Sequence, residues 1–322
     1  MTPELELLRI RYLAFAEHQA HGVSPRYETL ATAIAESEPL LRFIESLPSP
    51  KQQPNLFLAA ARWVCGLAED GSELAEHVRG HGEQIRVTAL SRSTQTNEAG
   101  RCATLLPVLA SLPQPLALLE VGASAGLCLI PDRYGYEYSS VVIPPPSSSA
   151  DAPTLVCATT SGEGIPREHP EVIWRRGLDL NPIDVGDPDQ TAWLENLVWP
   201  EQETRRSRLR HALRVAACDP PLVERGDLLE DLVGIATTAP SEATLVVFHS
   251  AVLNYVGEAD RVRFRRILED LGATWVSNEG LSVFPDITSE AGSRCRPDRF
   301  LLSLDGVPVA MTGFHGQTFE WL

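Results

Sequence analysis

Residues 116–129 read LALLEVGASAGLCL: an apolar run ends in Glu120, then turns through Gly122, Ala123, Ser124, Ala125 and Gly126. Two chemistries fit these residue types. As G-x-S-x-G, the segment is a nucleophile elbow, which holds a serine on a tight turn for attack on an acyl carbon. As E-x-G-x-x-x-G, it is a loop of small residues that lets backbone approach a cofactor. In that case Glu120 accepts from a cationic group or an ordered water. The hydrolase reading gains an acid and a base in chain order, Asp286 or Asp298 followed by His315. It lacks an upstream Gly-rich oxyanion loop, it follows a helical region rather than strands, and it gives Glu120 no task. A nicotinamide loop needs G-x-G-x-x-G, which is absent, and no G-K-[ST] marks a phosphate loop.

The ends of the other strand-like runs carry further polar residues, and open α/β sheets bind ligands beyond the carboxyl ends of their strands. VIWRRGLDL leads to Asp179 and Asn181, and PPLVERGD leads to Asp227. ATLVVFHS leads to His249, Ser250 and Asn254, and ATWVSNEG leads to Asn278 and Glu279. Each has a role if the ligand is S-adenosylmethionine. Gly122, Ala123, Ser124 and Gly126 give the close approach, Asp179 accepts both ribose hydroxyls, and Asp227 accepts from the adenine amino group beside a donating Leu228 amide. Ser250 and His249 then lie nearest the sulfonium. His249 or Glu279 would be the general base, histidine because it alone titrates near neutral pH without perturbation. The competing role for His249 is a hydrogen-bonded structural one. Asn97, Glu98 and Arg101 precede the first strand, and Arg101 could pair with the cofactor carboxylate.

Positioning these residues requires a particular set of elements. Residues 1–112 read as an all-helical domain. Leu5, Leu8, Tyr12 and Phe15 share one helical face. Ser24-Pro25 is a helix start, NLFLAAARWVCGLAED is a helix stopping before Gly71, and TQTNEAGRCATLLPVLASL leads into the glycine loop. From 113 to 322, strands and helices alternate, which means a mainly parallel sheet flanked by helices. Asp305-Gly306 signals a closing hairpin with an antiparallel strand at one edge. A helix is expected after the loop. Residues 136–170, with VVIPPPSSSADAP followed by TLVCATTSGEGIP as a strand and turn, read as an insertion, either a flap or a surface excursion. Trp174, Trp193, Trp199 and Trp275 are expected in cores or interfaces.

The pattern LLEVGASAG, GLDLNP, ERGD and TLVVFHSAVLNY resembles the class I S-adenosylmethionine-dependent methyltransferases over about residues 90–322. That likeness implies a Rossmann-like sheet closed by an antiparallel hairpin. It also implies an E/D-x-G-x-G-x-G loop and acids ending the second and third strands. Ser124 stands where a third glycine is usual, and the insertion moves Asp179 more than 50 residues from the loop. More narrowly, TNEAGR, GLCLIPDRYGYEY, GLDLNPIDV, LVWPEQ and VVFHSAVLNY are similar to the bacterial DUF2332 family over nearly the whole chain.

The totals set the bounds. The 322 residues are 43% hydrophobic and 22% charged, ordinary for a globular protein with a large core. The net charge of −16 argues against a nucleic-acid backbone as the main partner and favours a small-molecule or protein methyl acceptor. RRSRLRHALR is a basic run that reads as a solvated helix face. The six cysteines include no C-x-x-C, so no zinc site is expected, and they fit a cytoplasmic location. No signal peptide or membrane span is expected. Besides a methyltransferase, the readings left open are a non-catalytic methyltransferase-like binding or regulatory protein, and a serine hydrolase using Ser124.

Overall fold

A computed structural model describes residues 2–149 and 151–322, so Ala150, within the expected insertion, lies outside the described residues. The chain forms two compact units, one up to Thr96 together with Asp189–Ser207, the other Asn97–Pro188 with Arg208–Leu322. The first unit is helical. Leu5, Leu8, Tyr12 and Phe15 are the buried residues of the helix Pro3–Phe15. The Ser24 side chain caps the helix Pro25–Glu36 by accepting from the Tyr27 amide. The helix Pro54–Cys65 ends earlier than expected, because Gly66 leaves helical space at φ 90°. Gly71 instead opens the helix Gly71–Ser91, whose cap Asp70 accepts from the Ser72 and Glu73 amides. The buried faces, with Phe57, Ile85 and Ala89, close one apolar core on which Trp199 packs.

The second unit is mixed α/β, with a largely parallel central sheet. Its strands are β1 (Leu116–Val121), β2 (Gly135–Tyr138), β3 (Val142–Ile143), β4 (Thr154–Thr159), β5 (Val172–Asp179) and β6 (Val223–Arg225). They continue with β7 (Thr244–Ser250), β8 (Thr274–Glu279), β9 (Phe300–Leu304), β10 (Val307–Thr312) and β11 (Thr318–Trp321). The order is β3-β2-β4-β11-β10-β9-β8-β7-β1-β5-β6. β1 is buried along its whole length, as a central parallel strand must be. It pairs in parallel with β5 on one side and β7 on the other. Renumbered in chain order, the strands from β6 to β8 run 3-2-1-4-5. The succession therefore reverses between β1 and β7, where such sheets open a crevice at their carboxyl ends.

Four expectations are corrected. No α-helix follows the glycine loop: residues 127–133 make two 3-10 turns, and the chain enters β2 directly. There, the alternation in GYEY buries Tyr136 and Tyr138 and exposes Glu137. Residues 136–170 are neither flap nor excursion. They supply most of β2 and all of β3 and β4, which join the sheet where β4 runs parallel to β11. For the same reason the hairpin at Asp305-Gly306, both residues at positive φ, lies inside the sheet and not at its edge. The helix Cys102–Ser111, expected at the end of the helical region, belongs to the second unit.

Candidate functional site

The candidate residues sit at the carboxyl ends of β1, β5, β6, β7 and β8. Glu120 is 6% exposed near the end of β1, and its Oε2 has no hydrogen-bond partner. Burial pushes its carboxyl well above the usual carboxylate range. The neighbouring Cys128 and Asp179 add to this, and Arg101 opposes it. The loop then turns through left-handed Gly122, Ser124 and Gly126. The Gly122 and Ala123 amides donate to Leu178 O at 2.8 and 3.3 Å, which ties the loop to β5. A Cβ on Gly122 would stand 2.4 Å from Val252 Cγ2. The protein's own packing therefore requires that glycine.

Asp179, at the tip of β5, caps this loop. Its Oδ2 accepts from the Ser124 amide at 2.8 Å and its Oδ1 from the Asn181 amide at 2.7 Å. At the tip of β6, Asp227 Oδ1 accepts from the Leu229 amide at 2.8 Å. Asn97, outside the strands, holds the loop from the other side. Its Nδ2 donates to Ser124 Oγ at 2.9 Å, and its Oδ1 accepts from the Ala125 amide at 2.8 Å. Ser124 is thus 4% exposed and hydrogen-bonded to asparagine, with no histidine bonded to its Oγ among the described residues. A hydrolase elbow would need that base.

His249 and Glu279 come together at the tips of β7 and β8. Trp275 Nε1 donates to His249 Nε2 at 2.9 Å, so the neutral ring carries its hydrogen on Nδ1 and donates to Glu279 Oε1 at 2.7 Å. Phe264 and Phe284 close around the ring, which is 0% exposed. Both nitrogens are engaged, which favours the structural role for His249. Glu279 Oε1 also accepts from the Val252 and Leu253 amides, at 2.9 and 3.1 Å, and so fixes the chain beyond β7. Ser250 Oγ accepts from Asn278 Nδ2, and Thr312 Oγ1 donates to Asn278 Oδ1.

Arg101 is spent on the fold: Nη1 donates to Ser250 O at 2.8 Å and Nε to Phe314 O at 3.1 Å. Glu98, buried beside it, pairs with Arg208 at 2.9 Å and lies 3.5 Å from His315 Nδ1. His315 therefore answers to Glu98, and one arginine of the basic run faces inward. Asp286, the other half of the hydrolase expectation, pairs with Arg265 at 2.6 Å. The sequence reading missed Arg299, Phe300 and Phe314. With Glu279, they line a cleft of about 510 Å³ beyond β7 and β8. Their only signal was position, at the start of β9 and just after β10.

The second unit is thus that of a mixed α/β protein with acids at the carboxyl ends of its central strands, Glu120 and Glu279 buried and Asp179 and Asp227 half-buried. The chain belongs to the DUF2332 family, described as an uncharacterized protein conserved in bacteria, which matches residues 9–321. No curated protein and no solved structure matches the chain significantly.

Proposed function

We propose that this protein is an S-adenosylmethionine-dependent methyltransferase with a Rossmann-like sheet, acting on a small molecule or a protein. One observation carries the reading: the strand succession reverses beside β1, and on one side of that reversal lie the left-handed turn at Gly122 and the acids Asp179 and Asp227. Such a switch point is where open sheets take nucleoside-bearing ligands. The residues fit an adenosyl group chemically. Each oxygen of Asp179 accepts one amide, which leaves a lone pair on each for ribose hydroxyls. Asp227 keeps Oδ2 for an amino donor, and Glu120 keeps an orphaned Oε2.

The cofactor would supply an activated methyl group, and the protein's part is alignment of the acceptor. Of the two expected proton acceptors, Glu279 keeps an unengaged oxygen and His249 keeps no free ring nitrogen. Calorimetric titration with S-adenosylhomocysteine tests the reading. Saturable binding is expected, weakened about tenfold or more by Asp179→Ala and by Asp227→Ala, since each removes a half-buried, charge-assisted acceptor. No binding at about 1 mM, a standard free energy weaker than about −4 kcal/mol, would end it.

The enclosure of His249 and the Val252 methyl against Gly122 favour one other reading, a methyltransferase-like protein that binds without catalysis. Methyl-labelled S-adenosylmethionine incubated with fractions of a bacterial extract separates the two. Label transferred to an acceptor means catalysis, and binding without transfer means the second reading.

A further inference from the structure

We infer that the cleft beyond β7 and β8 binds a small zwitterion of the amino-acid type. Glu279 lines this cleft at 3% exposure. Its Oε1 takes three hydrogen bonds, while its Oε2 takes none. A buried carboxylate oxygen without a donor is costly, and a ligand N–H would satisfy it. Arg299 lines the same cleft, half-buried. Its Nη1 donates to Thr318 Oγ1 at 2.8 Å, and it forms no ion pair among the described residues. The two opposite charges share one cleft without pairing with each other. A molecule carrying an ammonium and a carboxylate satisfies both.

Three aromatic rings also line the cleft. Phe300 and Phe314 meet edge to face at 4.7 Å, and Tyr255 is 85% exposed at the cleft. Such rings suit the apolar body of the ligand and attract its ammonium. Arg299 makes the cleft a poor host for a bare cation. A metal ion would need more oxygen ligands than one carboxylate supplies, and no group of metal-ligating side chains occurs among the described residues. Ala251, also in the lining, is held at φ 57°, a left-handed conformation that a non-glycine residue keeps only under constraint. The Ala251 amide donates to Asn278 O at 3.0 Å, and Glu279 clamps the next two amides.

The cleft shares Glu279 with the methyltransferase proposal, but its test contains no adenosyl compound, so the two fail separately. Saturation-transfer NMR and calorimetry would screen the L-amino acids, the matching amines without the carboxylate, and the matching carboxylic acids without the amine. At least one amino acid is expected to bind saturably, with both truncated partners about tenfold weaker or more. Glu279→Gln should weaken the amino acid and the amine about tenfold and leave the carboxylic acid unchanged. Arg299→Gln should show the opposite pattern. Tyr255→Ala, at an exposed position, should preserve the melting curve and weaken all three. Should Glu279→Gln fail to fold, Arg299→Gln and Tyr255→Ala carry the test. No amino acid binding, or binding indifferent to the variants that fold, would overturn the inference.

Discussion

Glu120 and Glu279 are both carboxylates buried at strand tips, and each keeps an Oε2 without a hydrogen bond. Glu279 Oε1 anchors two backbone amides and an imidazole N–H. At Glu120, desolvation dominates and raises the carboxyl well above its ordinary 4.5. The linkage has a definite sign. The folded chain holds this proton more tightly than the unfolded chain, so stability falls as pH rises from about 4.5 toward the raised value. Glu120→Gln keeps the shape and removes the charge. It should melt above the parent protein at pH 8, with the gap closing as pH falls toward 4.5, in calorimetric scans across that range. A gap that does not vary with pH would locate the burden elsewhere.

At the scale of elements, the turn after β1 is held by its neighbours on three sides: Leu178 O, the Asp179 carboxylate and the Asn97 amide. Val252 fills the remaining space at Gly122. Gly122→Ala should cost about 2–4 kcal/mol, about 1–2 from the left-handed backbone and the rest from crowding Val252. Val252→Ala in the same chain should recover the crowding part, so that the two changes couple by about 1–3 kcal/mol in a urea-denaturation cycle. Simple additivity would mean the contact relaxes by backbone movement. The sequence reveals such elements wherever the cause is local. The face of Leu5, Leu8, Tyr12 and Phe15, the Ser24 cap and the Asp305-Gly306 turn each need only a few neighbouring residues. Pairing between distant segments escapes it. Ala158 on β4 takes Thr318 on β11 as its partner, and although TLVCAT reads as a strand, nothing near it names the strand it joins.

For the whole chain, the same division separates the acids at the tips from what surrounds them. Glu120, Asp179, Asp227 and Glu279 were legible because apolar runs point to them. The saturation of His249 was not, because Trp275 and Glu279 reach it from the next strand, across the sheet. The use of Arg101 on Ser250 O likewise follows from distant backbone. What the composition does settle is the long-range field. With 27 basic against 43 acidic residues, the net charge of −16 makes the compact state repel itself, and no local pair cancels that sum. Raising the salt from 0.01 to 0.1 M shortens the screening length from about 30 to about 10 Å, which weakens repulsion between distant carboxylates more than attraction within close pairs such as Arg175–Asp132 at 2.8 Å. The melting temperature at pH 7.5 should therefore rise with sodium chloride over that range, and retention on heparin should stay negligible at the low-salt end. A melting temperature that falls with salt would mean that the close pairs outweigh the net charge. Retention on heparin would mean that the basic helix Glu203–Cys218 presents a local field strong enough to override it.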